Sequence, residues 1–229
     1  MTILAIITAC VGLIVLVALH RRDQKRVRQQ RSEFFADCLT ALDRPEITRD
    51  AFGYPRLSGW FEGVPVRADV VVDCVALRKL PSLWLRLTVE APVATGAVLD
   101  VMMRPSGAEF FSAFERLPDR LDTPADWPER AVIRTDDVAK LPPPEAIVPY
   151  VDFLGEPKAK ELVIAPRGVR IVWQADEAQR GDYMLLRQAR FEVNRFDRER
   201  FCDLLRRCTA IRRALAGEQS KEIRREAAA

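Results

Sequence analysis

Positions 66–74 read VRADVVVDC and positions 83–89 read LWLRLTV, and these two stretches decide the fold. In both, an apolar residue at every second position alternates mostly with a polar or charged one. This period of two is typical of strands with one buried side and one solvent-facing side, as in antiparallel sheets. We therefore predict an antiparallel β-sheet at the centre of an α+β fold.

Further strands are predicted on both sides of these two. In the first half, residues 56–61 and 98–103 complete a meander of about four strands, with a tight turn at Glu62-Gly63. A short helix over 106–117 follows. A connection over 118–149 contains seven prolines, which prevent a continuous helix or a central strand. The second half is predicted to contain strands at 161–165, 169–173 and near 184–193.

An amphipathic helix is predicted over 197–215, with Asp197 as its N-cap. Its apolar residues recur at helical spacing, so we expect it to cover one side of the sheet. They are Phe201, Leu204, Leu205, Cys208, Ile211 and Leu215. Residues 51–216 then form one β-rich domain, and the charged residues 217–229 form a frayed tail. Both halves run from strands to a helix, which leaves a duplication open, although no residue-level repeat supports it.

The N-terminus begins with an uncharged, apolar run over residues 3–19. A run of this length is what a helix needs to cross the hydrocarbon layer of a membrane, so residues 1–19 are predicted to be a transmembrane helix. A cleaved signal peptide would need basic residues before the run, and none is present. A buried helix that is apolar on every side would need a large surrounding core. Residues 20–50 are predicted to form a basic collar and a juxtamembrane helix whose Phe34 and Phe35 dock on the domain.

The collar sets the expected orientation. It holds six cations and one acid, and cations are retained on the cytoplasmic side of a membrane span. We expect a single-pass protein of the cell (inner) membrane, with its N-terminus outside and its domain in the cytoplasm. We also expect the collar to contact anionic lipid headgroups. The collar cations are Arg21, Arg22, Lys25, Arg26, Arg28 and Arg31.

The sequence offers little for catalysis. The single histidine, His20, lies in the collar, which excludes a histidine base or a histidine metal cage in the domain. Neither familiar phosphate-binding glycine loop is present. The five cysteines have no zinc-site spacing. We therefore predict no catalytic residue, no cofactor site and no metal site.

Carboxylates are the remaining acid–base candidates. Asp69 and Asp73 share the wet side of one strand, and Asp136 adjoins another aspartate in the proline-rich connection. Arg67 and Arg86 are expected beside Asp69, which favours a ladder of charges across strands over a catalytic pair.

Trp60 and Trp84 are expected on the wet side of the sheet, where exposed indoles form a candidate surface for a protein partner. The alternative is that a helix or the proline-rich connection covers them. The chain is acidic in its middle part and basic at both ends, and this acidic middle part disfavours nucleic-acid binding. The leading hypothesis is a membrane-anchored interaction or accessory protein without catalytic activity. The alternatives are a membrane-tethered hydrolase using carboxylates and arginines, and a module that senses anionic lipid.

Overall fold

A computed structural model describes residues 2–49, 53–74, 80–125, 127–186 and 189–226 of the chain. For residues 2–9, 24, 185–186 and 218–226 it describes the backbone alone. The described part contains nine strands, all antiparallel to their neighbours, in the order β1-β2-β3-β4-β9-β8-β5-β7-β6. They are β1 (Asp43–Arg49), β2 (Pro55–Phe61), β3 (Val64–Asp73), β4 (Ser82–Val89), β5 (Leu99–Met103), β6 (Asp119–Leu121), β7 (Ala131–Thr135), β8 (Ala159–Ala165) and β9 (Gly168–Glu177).

Three α-helices accompany this sheet in the described residues: α1 (Thr2–Ser32), α2 (Arg180–Leu186) and α3 (Arg198–Glu226). The predicted antiparallel sheet and its α+β class are confirmed. Short 3₁₀ helices lie at Ala36–Ala41, Phe114–Arg116, Val138–Lys140, Pro144–Ala146, Val148–Tyr150 and Asp152–Gly155.

The two deciding stretches form β3 and β4, and they pair with each other as the alternation requires. Val70 lies opposite Leu85 and Ala68 opposite Leu87, so the apolar residues of both strands share one side of the sheet. We call this side the core face and the opposite side the polar face. The core-face residues of these strands are almost fully buried, except Val72 near the end of β3, which is half-buried. Their burial supplies the hydrophobic stabilisation of the centre of the sheet.

Helix α3 covers the core face, as expected. The Asp197 carboxylate accepts a hydrogen bond from the backbone N–H of Arg200 at 2.7 Å, which is the predicted N-cap. The apolar stripe of α3 is buried from Phe201 to Leu215. The helix continues past Gly217, where a tail was expected, to Glu226, and residues 227–229 lie outside the described part.

The chain passes from α1 into the domain through two buried phenylalanines, Phe34 and Phe35, which we call the core joint. Phe34 and Phe35 are almost fully buried, and their rings lie 5.8 Å from Phe196 and 6.1 Å from Phe201 respectively. The expected juxtamembrane helix is interrupted by a turn at 33–35 and resumes as a 3₁₀ helix. Adjacent residues of an α-helix point about 100° apart. The turn therefore lets both rings enter the core together.

No helix among the described residues is long enough and apolar enough to span a membrane. The expected span lies partly outside those residues, because Met1 and the side chains of residues 2–9 are not described. Farther along α1, the large apolar side chains from Val11 to Leu19 are exposed to solvent.

Two expected features of the first half differ from the structure. The strand predicted over 98–103 exists as β5, but it leaves the meander and pairs with β7 and β8. The fourth strand of the meander is β1, which the sequence did not predict because Pro45 argued for a chain break. Proline is tolerated there because β1 is an edge strand that is exposed throughout.

Three expected features farther along also differ. Residues 106–117 do not form a helix, apart from the 3₁₀ turn Phe114–Arg116. The connection over 118–149 contains two strands, β6 and β7. The strand expected near 184–193 is wrong, since the described residues there form the end of α2 and an irregular segment that begins at residue 189. Residues 187–188 lie outside the described part.

The core joint at Phe35 yields a stability prediction. Replacing Phe35 with alanine removes a fully buried ring, so the free energy of unfolding should fall by about 3–5 kcal/mol. The matched control is Phe110→Ala, because Phe110 is 56% exposed and its loss should cost less than about 0.5 kcal/mol. Urea unfolding of the full chain measures both changes. Equal losses in the two variants would contradict the burial of the joint.

Candidate functional site

The polar face of the sheet is partly covered by residues 104–117, which we call the lid. The lid begins where β5 ends and crosses the strands that carry the polar side chains. Arg104 Nη2 donates to the carbonyl oxygens of Ala159 and Pro157 at 2.6 Å and 3.0 Å. At the far end, Arg134 Nη1 donates to the Leu117 carbonyl at 3.0 Å. Polar contacts therefore fasten the lid at both ends.

Two carboxyl groups lie beneath the middle of the lid. Asp100 on β5 and Glu161 on β8 are 2% and 1% exposed, and their side chains are hydrogen-bonded to each other. Burial, then the charge of Glu161 and its hydrogen bond, raise the pKa of Asp100 well above its ordinary value. Burial also raises the pKa of Glu161. Asp100 therefore keeps its proton at neutral pH and can donate it to Glu161.

The lid reaches this pair through Ser112, whose hydroxyl donates a hydrogen bond to Glu161 Oε1. The same hydroxyl accepts a hydrogen bond at 3.0 Å from the backbone N–H of Phe114. Arg86 adds a weaker bond from Nη1 to the Phe111 carbonyl at 3.4 Å. A chain from hydroxyl to carboxylate to carboxyl thus connects the lid to the sheet.

A buried ion pair, which lies beside the carboxyl pair, also fastens the lid. The Lys160 ammonium donates to Glu109 Oε1 at 2.7 Å and to the carbonyls of Met103 and Arg104, each at 3.1 Å. Burial opposes ionisation of Glu109, but hydrogen bonds from Lys160 and Ser106 outweigh it and lower its pKa to about 2. Removing one partner of such a buried pair strands a charge, which typically costs about 3–5 kcal/mol.

The carboxylates expected from the sequence lie elsewhere. The predicted pairing of Asp69 with Arg86 is present as a two-bond ion pair, whereas Arg67 pairs with Glu90 at 2.5 Å. Asp73 is buried on β3, and Asp136 is exposed and accepts the Val98 N–H at 2.7 Å. The structure does not bring these three aspartates to one site.

Asp100 and Glu161 were not among the candidate residues predicted from the sequence. A signal was available at Asp100, because an acid stands alone within the apolar strand β5, all of whose residues are buried. Glu161 gave a weaker signal, since a lysine precedes it and leucine and valine follow it.

The Ser112–Glu161–Asp100 chain has the groups needed for acid–base chemistry but not the access. A reacting substrate must come within about 3 Å of the base, and both carboxyl groups are closed off by the lid. The Ser112 hydroxyl is already engaged on both sides. The arrangement is therefore suited to holding the lid. Among the described residues, no group of three or more His, Cys, Asp or Glu side chains is placed to hold a metal ion.

The two tryptophans proposed from sequence have different surroundings. Trp60 is 44% exposed on β2. Trp84 lies beneath the lid, with its ring 5.7 Å from the ring of Phe111 and 6.0 Å from Lys160 Nζ. Its indole Nε1 is buried without a hydrogen-bond partner, as is Asp100 Oδ1. Trp84 is half-buried, so with the lid in place a partner could reach only part of its ring.

A groove of about 550 Å³ opens near the start of α3. Its apolar wall includes Trp173, Val193 and Phe196, and its rim includes Lys158 and Arg195. Arg195 also pairs with Glu33 and Asp37, at 3.3 Å and 3.1 Å. The groove therefore adjoins the segment that leads out of α1.

No protein family matches this chain, and no curated protein matches it either. Among solved structures, the chain is similar to the crystal structure of the mycobacterial trehalose monomycolate transport factor A, TtfA. The TM-score is 0.40 at 11% identity, over 85% of this chain and 95% of that chain. A similarity at this level transfers neither a site nor a function.

The buried carboxyl pair predicts an unusual pH dependence. Since folding raises the pKa of Asp100, the folded chain keeps a proton that the unfolded chain releases above about pH 4. Stability should therefore fall as the pH rises above 4. Asp100→Asn keeps a donor toward Glu161 and does not titrate. It should be more stable than the wild type by about 1–3 kcal/mol at pH 8, and the difference should vanish toward pH 4.

Urea unfolding of the full chain at a series of pH values measures this difference. Asp136→Asn is the control, because this aspartate is exposed and asparagine keeps the oxygen that accepts the Val98 N–H, so the change in stability should be small. A destabilisation by Asp100→Asn that is equal at pH 4 and pH 8 would contradict the shared proton.

Proposed function

We propose that this protein is a single-pass membrane-anchored accessory protein, without catalytic activity of its own, that holds a protein partner at the cytoplasmic face of the cell membrane. The observation that carries the proposal is the continuity of α1. One helix runs from an apolar end, through a basic collar, to the core joint at Phe34 and Phe35.

The anchor is supported by the chemistry of residues 3–19. The run contains no charged residue, and its large side chains from Val11 to Leu19 are exposed in the described part of α1. In water, so much exposed apolar surface on one helix is unfavourable, and a bilayer removes that cost. The length of the run suits a hydrocarbon layer of about 30 Å.

The orientation is supported by the position of the cations. All six collar cations follow the apolar run. Cations on one side of a span favour that side as cytoplasmic. The domain would then lie in the cytoplasm, with the collar at the lipid headgroups.

An accessory role is supported by what the polar groups of the domain already do. Asp100, Glu161 and Ser112 fasten the lid, and Asp69 pairs with Arg86. A membrane-tethered hydrolase is the alternative, and it would require the lid to open and present Glu161 to a substrate. The partner surface that we propose is the groove beside α3, with Trp60 as a second contact, because apolar concave surfaces and exposed indoles favour protein contacts.

The anchor has a direct test. Full-length protein should stay with native membranes after an alkaline carbonate wash. The double variant Ile14→Lys and Leu16→Lys should be washed off, because each charge near the centre of a span costs about 2.5–3.5 kcal/mol. The control is Ile47→Lys, a change on the exposed edge strand β1 that should stay with the membrane. Release of the wild type would refute the anchor.

The partner surface has a separate test by photo-crosslinking in native membranes. A photoreactive phenylalanine analogue replaces Lys158 at the groove rim, or Arg120 on the far edge strand β6, both of which are exposed. We expect one dominant protein adduct from position 158 and none from position 120. Adducts from neither position, or the same adduct from both, would argue against the groove as the partner surface.

A further inference from the structure

The six collar cations do not share one environment on α1. Successive residues of an α-helix are about 100° apart around its axis. Arg22 and Arg26 therefore lie about 40° apart, and Arg31 lies about 180° from Arg22. The cations are distributed around the helix, so the domain can contact only some of them.

The domain contacts Arg28 and Arg31. The Arg31 guanidinium carbon lies 4.9 Å from the ring centroid of Tyr54, which is buried. Gly53 lies so close to Arg28 that a Cβ there would be 3.3 Å from Arg28 Cγ, and its φ of +87° also favours glycine. A stacked guanidinium stabilises such a joint by cation–π attraction. These two arginines fix the rotation of α1 against the start of β2.

Exposure alone does not separate the other four cations from Arg28, whose side chain is also exposed. Arg21, Arg22, Lys25 and Arg26 are exposed, and none forms an ion pair with another described residue. They are also nearer to the apolar run. At 1.5 Å per residue, Arg22 and Arg26 lie about 5 Å and 10 Å beyond Leu19, whereas Arg28 and Arg31 lie about 14 Å and 18 Å beyond it.

A shallow groove of about 330 Å³ lies beside Arg26 and is lined by Gln29, Gln30 and Glu33 as well. The Glu33 carboxylate is paired with Arg195 at 3.3 Å. An anion in this groove would therefore meet one arginine and two amide side chains, beside Glu33, which shares Arg195 with Asp37.

We propose that the collar is divided: Arg21, Arg22, Lys25 and Arg26 bind the phosphate groups of anionic membrane lipids, while Arg28 and Arg31 hold the domain at a fixed rotation about α1. This division rests on the proposed membrane anchor. The occupant is lipid because the headgroup layer is only about 5–8 Å thick on each side of the hydrocarbon. The anchor keeps the first four cations within or beside that layer, and it keeps Arg28 and Arg31 beyond it.

Two double variants separate the division from a simple effect of net charge. One double variant combines Arg22→Gln with Arg26→Gln, and the other combines Arg28→Gln with Arg31→Gln. Each removes two positive charges from the same helix. Glutamine preserves the helix propensity and the side-chain amphipathicity. The full chain is reconstituted in phosphatidylcholine vesicles containing spin-labelled phosphatidylglycerol or spin-labelled phosphatidylcholine. Electron paramagnetic resonance then gives the relative association of the two lipids with the protein.

We expect the wild type to prefer phosphatidylglycerol, and to lose that preference as salt is raised. In the Arg22/Arg26 variant, each substitution should lower the preference for phosphatidylglycerol by up to about fivefold. The Arg28/Arg31 variant should retain the preference of the wild type. An equal loss in both variants would overturn the division, as would a wild type without a preference.

Two further measurements keep the outcome interpretable. Release of the wild type by carbonate would refute the anchor itself, whereas an integral protein without lipid preference would refute the division alone. Should the Arg28/Arg31 variant fail to fold, the single variants Arg22→Gln and Arg28→Gln form the matched pair, with the same expected contrast.

Discussion

The antiparallel pairing of β4 with β9 holds the two halves of the chain in one sheet. It places Leu85 opposite Trp173 and Leu87 opposite Ile171, although these partners are more than eighty positions apart in the sequence. Such long-range pairing carries a large loop-closure cost, which the buried core must repay. Helix α3 packs on these two strands. At one end, β4 and β9 lie so close together that a glycine is needed, because a Cβ at Gly168 would clash with the Val89 carbonyl oxygen.

The sequence predicted which side of each strand is buried better than it predicted which strands are neighbours. Alternation reports the direction of side chains, and it was sufficient for β4 and for β3 as far as Val70, whereas Asp73, expected on the wet side, is buried. Helical spacing was sufficient for the apolar stripe of α3. Alternation contains no information on pairing, so β5 was assigned to the meander although it pairs with β7 and β8. The edge strand β1 was missed for a related reason. All of its residues are exposed, so it has no buried period to detect.

On the polar face, the buried acids Asp100 and Glu161 differ from Asp69, the acid that the alternation indicated. Asp69 follows the regular wet pattern and is partly exposed, so its arginine partner satisfies it at little cost. Asp100 and Glu161 lie where the lid covers the polar face of the sheet, which a local pattern cannot foresee. A buried polar group must find partners or be penalised. Ser112 and the Asp100–Glu161 hydrogen bond supply such partners, although Asp100 Oδ1 has none, and Lys160 pairs separately with Glu109 of the lid.

Direct contacts connect the end of α1 to the groove beside α3. Phe34 and Phe35 are in the core, and the backbone N–H of Phe196 donates to the Phe34 carbonyl at 2.8 Å. Arg195, on the groove rim, pairs with Glu33 and Asp37 on either side of those phenylalanines. The rim and the end of α1 are thus joined by a backbone bond, two ion pairs and a ring contact. A helix held this firmly cannot rotate without disturbing the groove, so whatever fixes the outer end of α1 also fixes the direction in which the groove opens.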